Sequence, residues 1–288
     1  MGSTLPALSL VLAGVLVQVT SAALQSRSAA DAKQRRQFHR DGVLIVRALF
    51  SKDMMQACRR YVDRVLWAQR GDRRPSINGL VVGPGMFEAT IGFWLPVAPR
   101  HLRNQTYYVH LHSLLQSADE LSNPLRRLIF DPRVLATASN LLGGPVMNGK
   151  IQGANLFERG MQRDLHLDTW HGCGGTRRGG TVGAWFALDT VDRDNGPLTY
   201  VPGSHLWPEK NFSEAAPGRP KRLTVAEGQE KAEAYREARR HLPRARGLNF
   251  RAGDVVFYHE QLLHGSAQIR DWSRTRLSMV THYTDHAS

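Results

Sequence analysis

His166 and Asp168 stand two residues apart in Arg163-Asp164-Leu165-His166-Leu167-Asp168-Thr169-Trp170-His171. In an extended strand, residues two apart share a face, so the imidazole and the carboxylate converge while Leu167 turns the opposite way. A neutral imidazole and a carboxylate are two of the three ligands of the 2-His-1-carboxylate triad that holds non-heme Fe(II) with open coordination positions. The third ligand has to come from another strand, and His264, in Leu262-Leu263-His264-Gly265-Ser266, is placed for it. A His-x-Asp pair by itself often arises by chance, so its weight depends on the rest of the chain.

The elements that must position these residues fall into two parts. Ala29 to Arg40 reads as a charged helix ended by the Asp41-Gly42 turn, and Val43 to Val46 as a short β-branched strand. Ser51 is an N-cap for a helix to about Gln69, whose apolar face is Met54, Met55, Cys58, Tyr61, Val62 and Val65. Gly71 to Gly85 reads mostly as loop around Leu80-Val81-Val82. Leu121 to Leu142 reads as two helices broken at Asp131-Pro132 and closed at Gly143-Gly144-Pro145. From about residue 145 short apolar runs alternate with turns such as Asp194-Asn195-Gly196-Pro197 and Ala252-Gly253-Asp254. A polar insertion, Pro208 to Arg246, interrupts them, and its Ala226 to Arg240 part is Glu-, Lys-, Arg- and Ala-rich, hence helical and solvated. A helical part over about 25–144 followed by many short antiparallel strands over about 145–288 predicts a mainly β domain with flanking helices, built on a double-sheet jelly roll.

Residues Leu5 to Leu24 carry no charge and are mostly Leu, Val and Ala, and Thr20-Ser21-Ala22-Ala23 resembles a signal-peptidase site. No Lys or Arg precedes the run, while Arg27, Lys33, Arg35, Arg36 and Arg40 follow it, which as a retained anchor would keep the domain cytoplasmic. Residues 1–24 are therefore expected to be a signal peptide or membrane anchor outside the folded domain, with membrane association through residues 5–24.

The net charge is +13, but the basic residues are scattered and no nucleic-acid motif interleaved with aromatics is found, so a nucleic-acid partner is not expected. An anionic substrate or a charged membrane surface accounts for the balance equally well. Two cysteines, Cys58 and Cys173, make neither a disulfide framework nor a structural zinc site.

From about Phe38 to Tyr283 the chain resembles the phytanoyl-CoA dioxygenase family of Fe(II)/2-oxoglutarate oxygenases. The resemblance rests on Phe38-His39-Arg40-Asp41-Gly42-Val43-Leu44-Ile45-Val46, on His166-Leu167-Asp168, and on Ala184-Trp185-Phe186-Ala187-Leu188-Asp189. It continues through Asp194-Asn195-Gly196-Pro197-Leu198, Val201-Pro202-Gly203-Ser204-His205, Gly253-Asp254-Val255-Val256-Phe257, His264-Gly265-Ser266 and Thr275-Arg276-Leu277-Ser278. Each piece is weak; together and in order they are strong.

The resemblance implies that His166, Asp168 and His264 bind Fe(II), leaving three positions for two oxygens of 2-oxoglutarate and for O2. It implies a hydroxylase that attacks a C–H bond of a small molecule, an acyl-CoA thioester or another metabolite, and releases succinate and CO2. The far carboxylate of 2-oxoglutarate needs a fixed cation, which an arginine fork suits. By the resemblance that cation is Arg276, with Trp185 and Ser266 as further cosubstrate contacts. Arg274 is a competitor, because it shares the face of Arg276 and the spacing from His264 is one residue longer than in some relatives. His259 competes with His264 but lacks the Gly-Ser that follows in the family, and His171 and His205 read as structural histidines. Because Asp168 is present, halogenation is disfavoured. Two other classes stay open: a membrane-anchored metal- or ligand-binding module that keeps the barrel without turnover, against which the intact triad argues, and zinc hydrolysis at a His/Asp/His site, which leaves Arg276 unexplained.

Overall fold

The computed structural model describes residues 31–63, 79–82, 88–93, 107–111, 123–146, 154–157, 165–171, 179–208 and 225–285. Residues 1–24 lie outside these, and no helix among the described residues is long and apolar enough to cross a membrane.

The helices form where local chemistry dictates. Residues 31–41 make α1. The Ser51 side chain accepts the backbone N–H of Met54 and starts α2 (Lys52–Tyr61), which buries Met55 and Cys58. Asn123 caps α3 (Pro124–Ile129), and Asp131 caps α4 (Pro132–Leu142), each with proline in the first turn, where no intrahelical N–H is lost. Gly143, at φ +75°, ends α4. The expected break at Asp131-Pro132 and the expected stop are both present.

Eight antiparallel strands form the larger sheet, in the order β1-β9-β6-β11-β5-β4-β3-β2. They are β1 (Val43–Val46), β2 (Gly79–Val82), β3 (Glu88–Phe93), β4 (Tyr107–Leu111), β5 (Ala154–Phe157), β6 (Thr181–Ala187), β9 (Val255–His259) and β11 (Ser278–Thr284). A smaller sheet, β10-β7-β8, comprises β7 (Leu198–Tyr200), β8 (Arg246–Gly247) and β10 (His264–Ser266). The fold is the mainly β, jelly-roll class expected.

One difference from the sequence reading concerns the N-terminal part. Leu80-Val81-Val82, read as a patch within a loop, is strand β2, and β2 to β4 extend the larger sheet, so this part is not purely helical. A three-residue apolar run is too short to declare itself, and its hydrogen-bond partners lie on other segments. α2 runs on through a π turn at residues 62–63, and the rest of the expected continuation to Gln69 lies outside the described residues.

Alternation along the central strands divides the core in two. Val182, Ala184 and Phe186 of β6, with Val255, Phe257, Met279 and Tyr283, pack beneath α2, α3 and α4. The intervening residues Trp185, Ala187, Val256 and Tyr258 face inward and meet Leu198 and Tyr200 of the smaller sheet. The Ala252-Gly253-Asp254 turn locks against Phe50: Gly253 is at φ +96°, and a Cβ there would stand 2.2 Å from the Phe50 carbonyl oxygen. Asp254 closes this corner by accepting from the Arg47 guanidinium, Ala48 N–H and Arg251 N–H. The helix expected within Ala226–Arg240 is α5 (Val225–Arg240). It is not solvated all round, since Ala234 and Ala238 are buried against Leu165, Trp170, Val201 and Leu263.

Candidate metal centre

His166 does not lie in a long strand. It forms an isolated antiparallel bridge with His264, His166 N–H donating to the His264 carbonyl at 2.8 Å and the reverse bond measuring 3.0 Å. Asp168 already begins a 3-10 turn, Asp168–His171, and its N–H donates to the Glu260 carbonyl at 3.1 Å. The two-residue geometry nevertheless holds: His166 and Asp168 point together while Leu167 packs on the opposite side, under α5.

The ligand-type atoms of His166, Asp168 and His264 all lie within 4.8 Å of one another, and all three residues are buried. Asp168 Oδ1 is 3.5 Å from His264 Nε2 and 3.9 Å from His166 Nε2. Octahedral neighbours on an ion with bonds of ~2.1 Å stand about 3 Å apart, so a small contraction closes the set on a divalent cation. His264 Nδ1 donates to the Leu262 carbonyl at 2.8 Å, which places the ring proton on Nδ1 and makes Nε2 the nitrogen that carries the lone pair. Burial raises the pKa of the Asp168 carboxyl, but His264 and His282 outweigh it, together with the hydrogen bond from His282 and the field of His166. The carboxyl is thus held well below the usual range, in the ionised form that a metal requires. Nitrogen and oxygen donors in this mix fit Fe(II).

His282, which the sequence reading did not assign to the site, joins this centre: its Nε2 lies 2.8 Å from Asp168 Oδ2. Tyr258 is a second unforeseen neighbour, its ring 4.6 Å from that of His264 and 6.3 Å from that of His282. Gly183 makes room for it, because a Cβ there would stand 2.3 Å from the Tyr258 ring. No local motif signals either residue: His282 reaches Asp168 from 114 residues away in the chain, and Tyr258, on β9, meets His264 at the start of β10.

The competing histidines are elsewhere. His259 Nδ1 accepts Gln261 N–H at 3.1 Å, and its ring stacks 5.0 Å from that of His205. His205 in turn donates from Nε2 to the His39 carbonyl. Neither belongs to the three-residue cluster. The backbone of His171 closes the 3-10 turn. Cys58 is buried, which pushes its thiol up to about 12 and leaves no thiolate nucleophile at neutral pH.

The two arginines separate clearly. Arg274 makes a two-pronged pair with Asp192, at 2.9 and 2.8 Å, on a partly exposed surface. Arg276 is 4% exposed, stands 5.9 Å from the centre of the Trp185 ring, and donates from Nη1 to the Gly196 carbonyl. Among the described residues no carboxylate pairs with it, and its Nε has no hydrogen-bond partner. Burial lowers its pKa to about 10, so it remains a cation at neutral pH. Asn195 fixes the local backbone by donating to the carbonyls of Thr190 and Thr275, and Asp189 accepts the N–H of Leu277. Ser266 ends β10, paired with Leu198, and the next N–H, of Ala267, donates to the Pro197 carbonyl. The end of β10 and Arg276 therefore meet at the Asn195-Gly196-Pro197 turn.

Fold and centre together define a jelly-roll protein with a buried two-histidine, one-carboxylate cluster between its sheets. A sequence model of the family described as "Phytanoyl-CoA dioxygenase (PhyH)" matches residues 38–274. The chain belongs to that family. A comparison with curated proteins gives no match. Solved structures share the fold. The epimerase SnoN, in complex with Fe3+, alpha ketoglutarate and nogalamycin RO, is 20% identical with a TM-score of 0.58, over 90% of this chain and 84% of that one. AviO1 from Streptomyces viridochromogenes Tue57 is 20% identical with a TM-score of 0.57, over 90% and 96%. EctD from S. alaskensis, with 2-oxoglutarate and 5-hydroxyectoine, is 21% identical with a TM-score of 0.54, over 89% and 76%.

Proposed function

We propose that this chain is an Fe(II)- and 2-oxoglutarate-dependent dioxygenase that hydroxylates a C–H bond of a small molecule. The observation that carries the reading is the buried convergence of His166, Asp168 and His264 within 4.8 Å. These three residues hold the iron on one face, and Arg276 takes the far carboxylate of 2-oxoglutarate, with Trp185 beneath the guanidinium and Ser266 nearby as further contacts. Bound Fe(II), with 2-oxoglutarate and O2, supplies an oxidant strong enough to break an unactivated C–H bond, leaving succinate and CO2. The chain supplies orientation: the His166–His264 bridge sets two ligands against each other, and the apolar wall of Trp185, Val256 and Tyr258 excludes water.

The test is a metabolite screen for Fe(II)-dependent succinate release, with 18O2 as label. Hydroxylation predicts one labelled oxygen in the organic product. Succinate release with an unlabelled, rearranged product would keep the cofactors and overturn the hydroxylase assignment. The names of two fold neighbours, the epimerase SnoN and the carbocyclase SnoK, make that distinction worth measuring.

Residues 5–24 are proposed as a targeting or anchoring segment, on the strength of their uncharged run. A chain beginning near Gln25 is expected to be soluble and to bind iron. Aggregation of that chain beside a well-behaved full-length protein in plain buffer would show that the segment belongs to the fold.

A further inference from the structure

We propose that His282 is a positioning residue that keeps Asp168 a one-oxygen ligand and so preserves the coordination positions the cosubstrate needs. This rests on the metal assignment proposed above. The two oxygens of Asp168 have different surroundings: Oδ1 faces His264 Nε2 at 3.5 Å and His166 Nε2 at 3.9 Å. Oδ2 faces away from that triangle, toward His282 Nε2 at 2.8 Å. An ionised carboxylate only accepts hydrogen bonds, so His282 donates from Nε2.

The need for such a bond follows from the local backbone. Asp168 lies two residues beyond a single bridged position and opens a 3-10 turn, its backbone held by one N–H bond to the Glu260 carbonyl, so no ladder of its own sets which carboxylate oxygen faces the two histidines. His282 comes from the middle of β11, opposite Gly183 in the larger sheet, and is 2% exposed. A rigid strand of one sheet thus fixes a ligand attached to the edge of the other. A six-coordinate ion held by three protein atoms keeps three positions, two for 2-oxoglutarate and one for O2. If Asp168 turned to offer both oxygens, one of those positions would close.

The experiment is anaerobic titration of the full chain with Co(II), then of the metal-saturated chain with 2-oxoglutarate, following the visible Co(II) bands. His282→Ala should weaken Co(II) binding about 10- to 100-fold, the range found when such outer hydrogen bonds to metal ligands are removed. It should also weaken 2-oxoglutarate binding at saturating metal, which a purely structural role would not do. His282→Gln, whose amide nitrogen reaches about where Nε2 stands, should recover most of both affinities, and the shorter His282→Asn should not. Wild-type affinities in His282→Ala, or equal recovery by Gln and Asn, would overturn the role. Should His282→Ala fail to fold, the Gln and Asn variants, matched in melting temperature, decide by themselves. Failure of the wild-type chain to bind Co(II) at all would instead overturn the metal assignment, and this role with it.

Discussion

His166→Ala, Asp168→Ala and His264→Ala should each abolish Fe(II)-dependent turnover while leaving the barrel folded. Each removes one of three protein donors, and two cannot hold Fe(II) in a facial arrangement with three open positions. Folding should survive because the apolar layers that hold the sheets together, around Phe186 and Phe257 on one side and Trp185 and Val256 on the other, contain none of the three residues. His259→Ala is the control, expected to keep turnover, since that ring packs against His205 outside the cluster. Circular dichroism and melting temperature check the fold, and succinate release checks activity. Near-normal turnover in His264→Ala with loss in His259→Ala would move the third ligand to His259.

Arg276→Ala should leave the metal cluster intact and raise the 2-oxoglutarate requirement steeply. Removing one partner of a buried, hydrogen-bonded charge pair costs on the order of 2–5 kcal/mol. Binding should therefore weaken by roughly 30-fold to several thousand-fold. Arg276→Lys should rescue only in part, because a point charge cannot make the two-pronged contact. Arg274→Ala should have a mild effect, since its pair with Asp192 is partly exposed and worth about 0–1 kcal/mol. A large shift for Arg274→Ala with none for Arg276→Ala would transfer the role two residues upstream. No shift in either would remove cosubstrate recognition from the segment that leads into β11.

What the sequence could tell depended on how local each feature is. The Ser51 cap, the Asp131-Pro132 break and the Gly143 stop are decided within one turn of chain, and each is legible from residue types. The His166, Asp168 and His264 cluster was legible because two of its members are near neighbours in sequence and the third sits in a recognisable His-Gly-Ser run. Strands β3 and β4 were not read, although Tyr107-Tyr108-Val109 is strand-favouring in composition, because short runs declare a strand only through pairing partners that lie on other segments. The strand parity assumed for Arg274 and Arg276 does not apply, since both precede β11, which starts at Ser278; what separates them is Asp192, 82 residues away in the chain, which pairs with Arg274. His282 was invisible as a partner of Asp168 for the same reason, with 114 residues between them. The turn at Asn195 was legible as a turn, but not as the clamp on Thr190 and Thr275 that sets the Arg276 backbone.

The central claim is that one buried site holds Fe(II) and chelates 2-oxoglutarate against it. The direct measurement is an anaerobic titration of the Fe(II)-loaded full chain with 2-oxoglutarate, followed by the metal-to-cosubstrate charge-transfer absorption. A saturable band that requires both Fe(II) and 2-oxoglutarate, and that is lost in Asp168→Ala, is the predicted result. Fe(II) binding with no such band at any 2-oxoglutarate concentration would contradict the account.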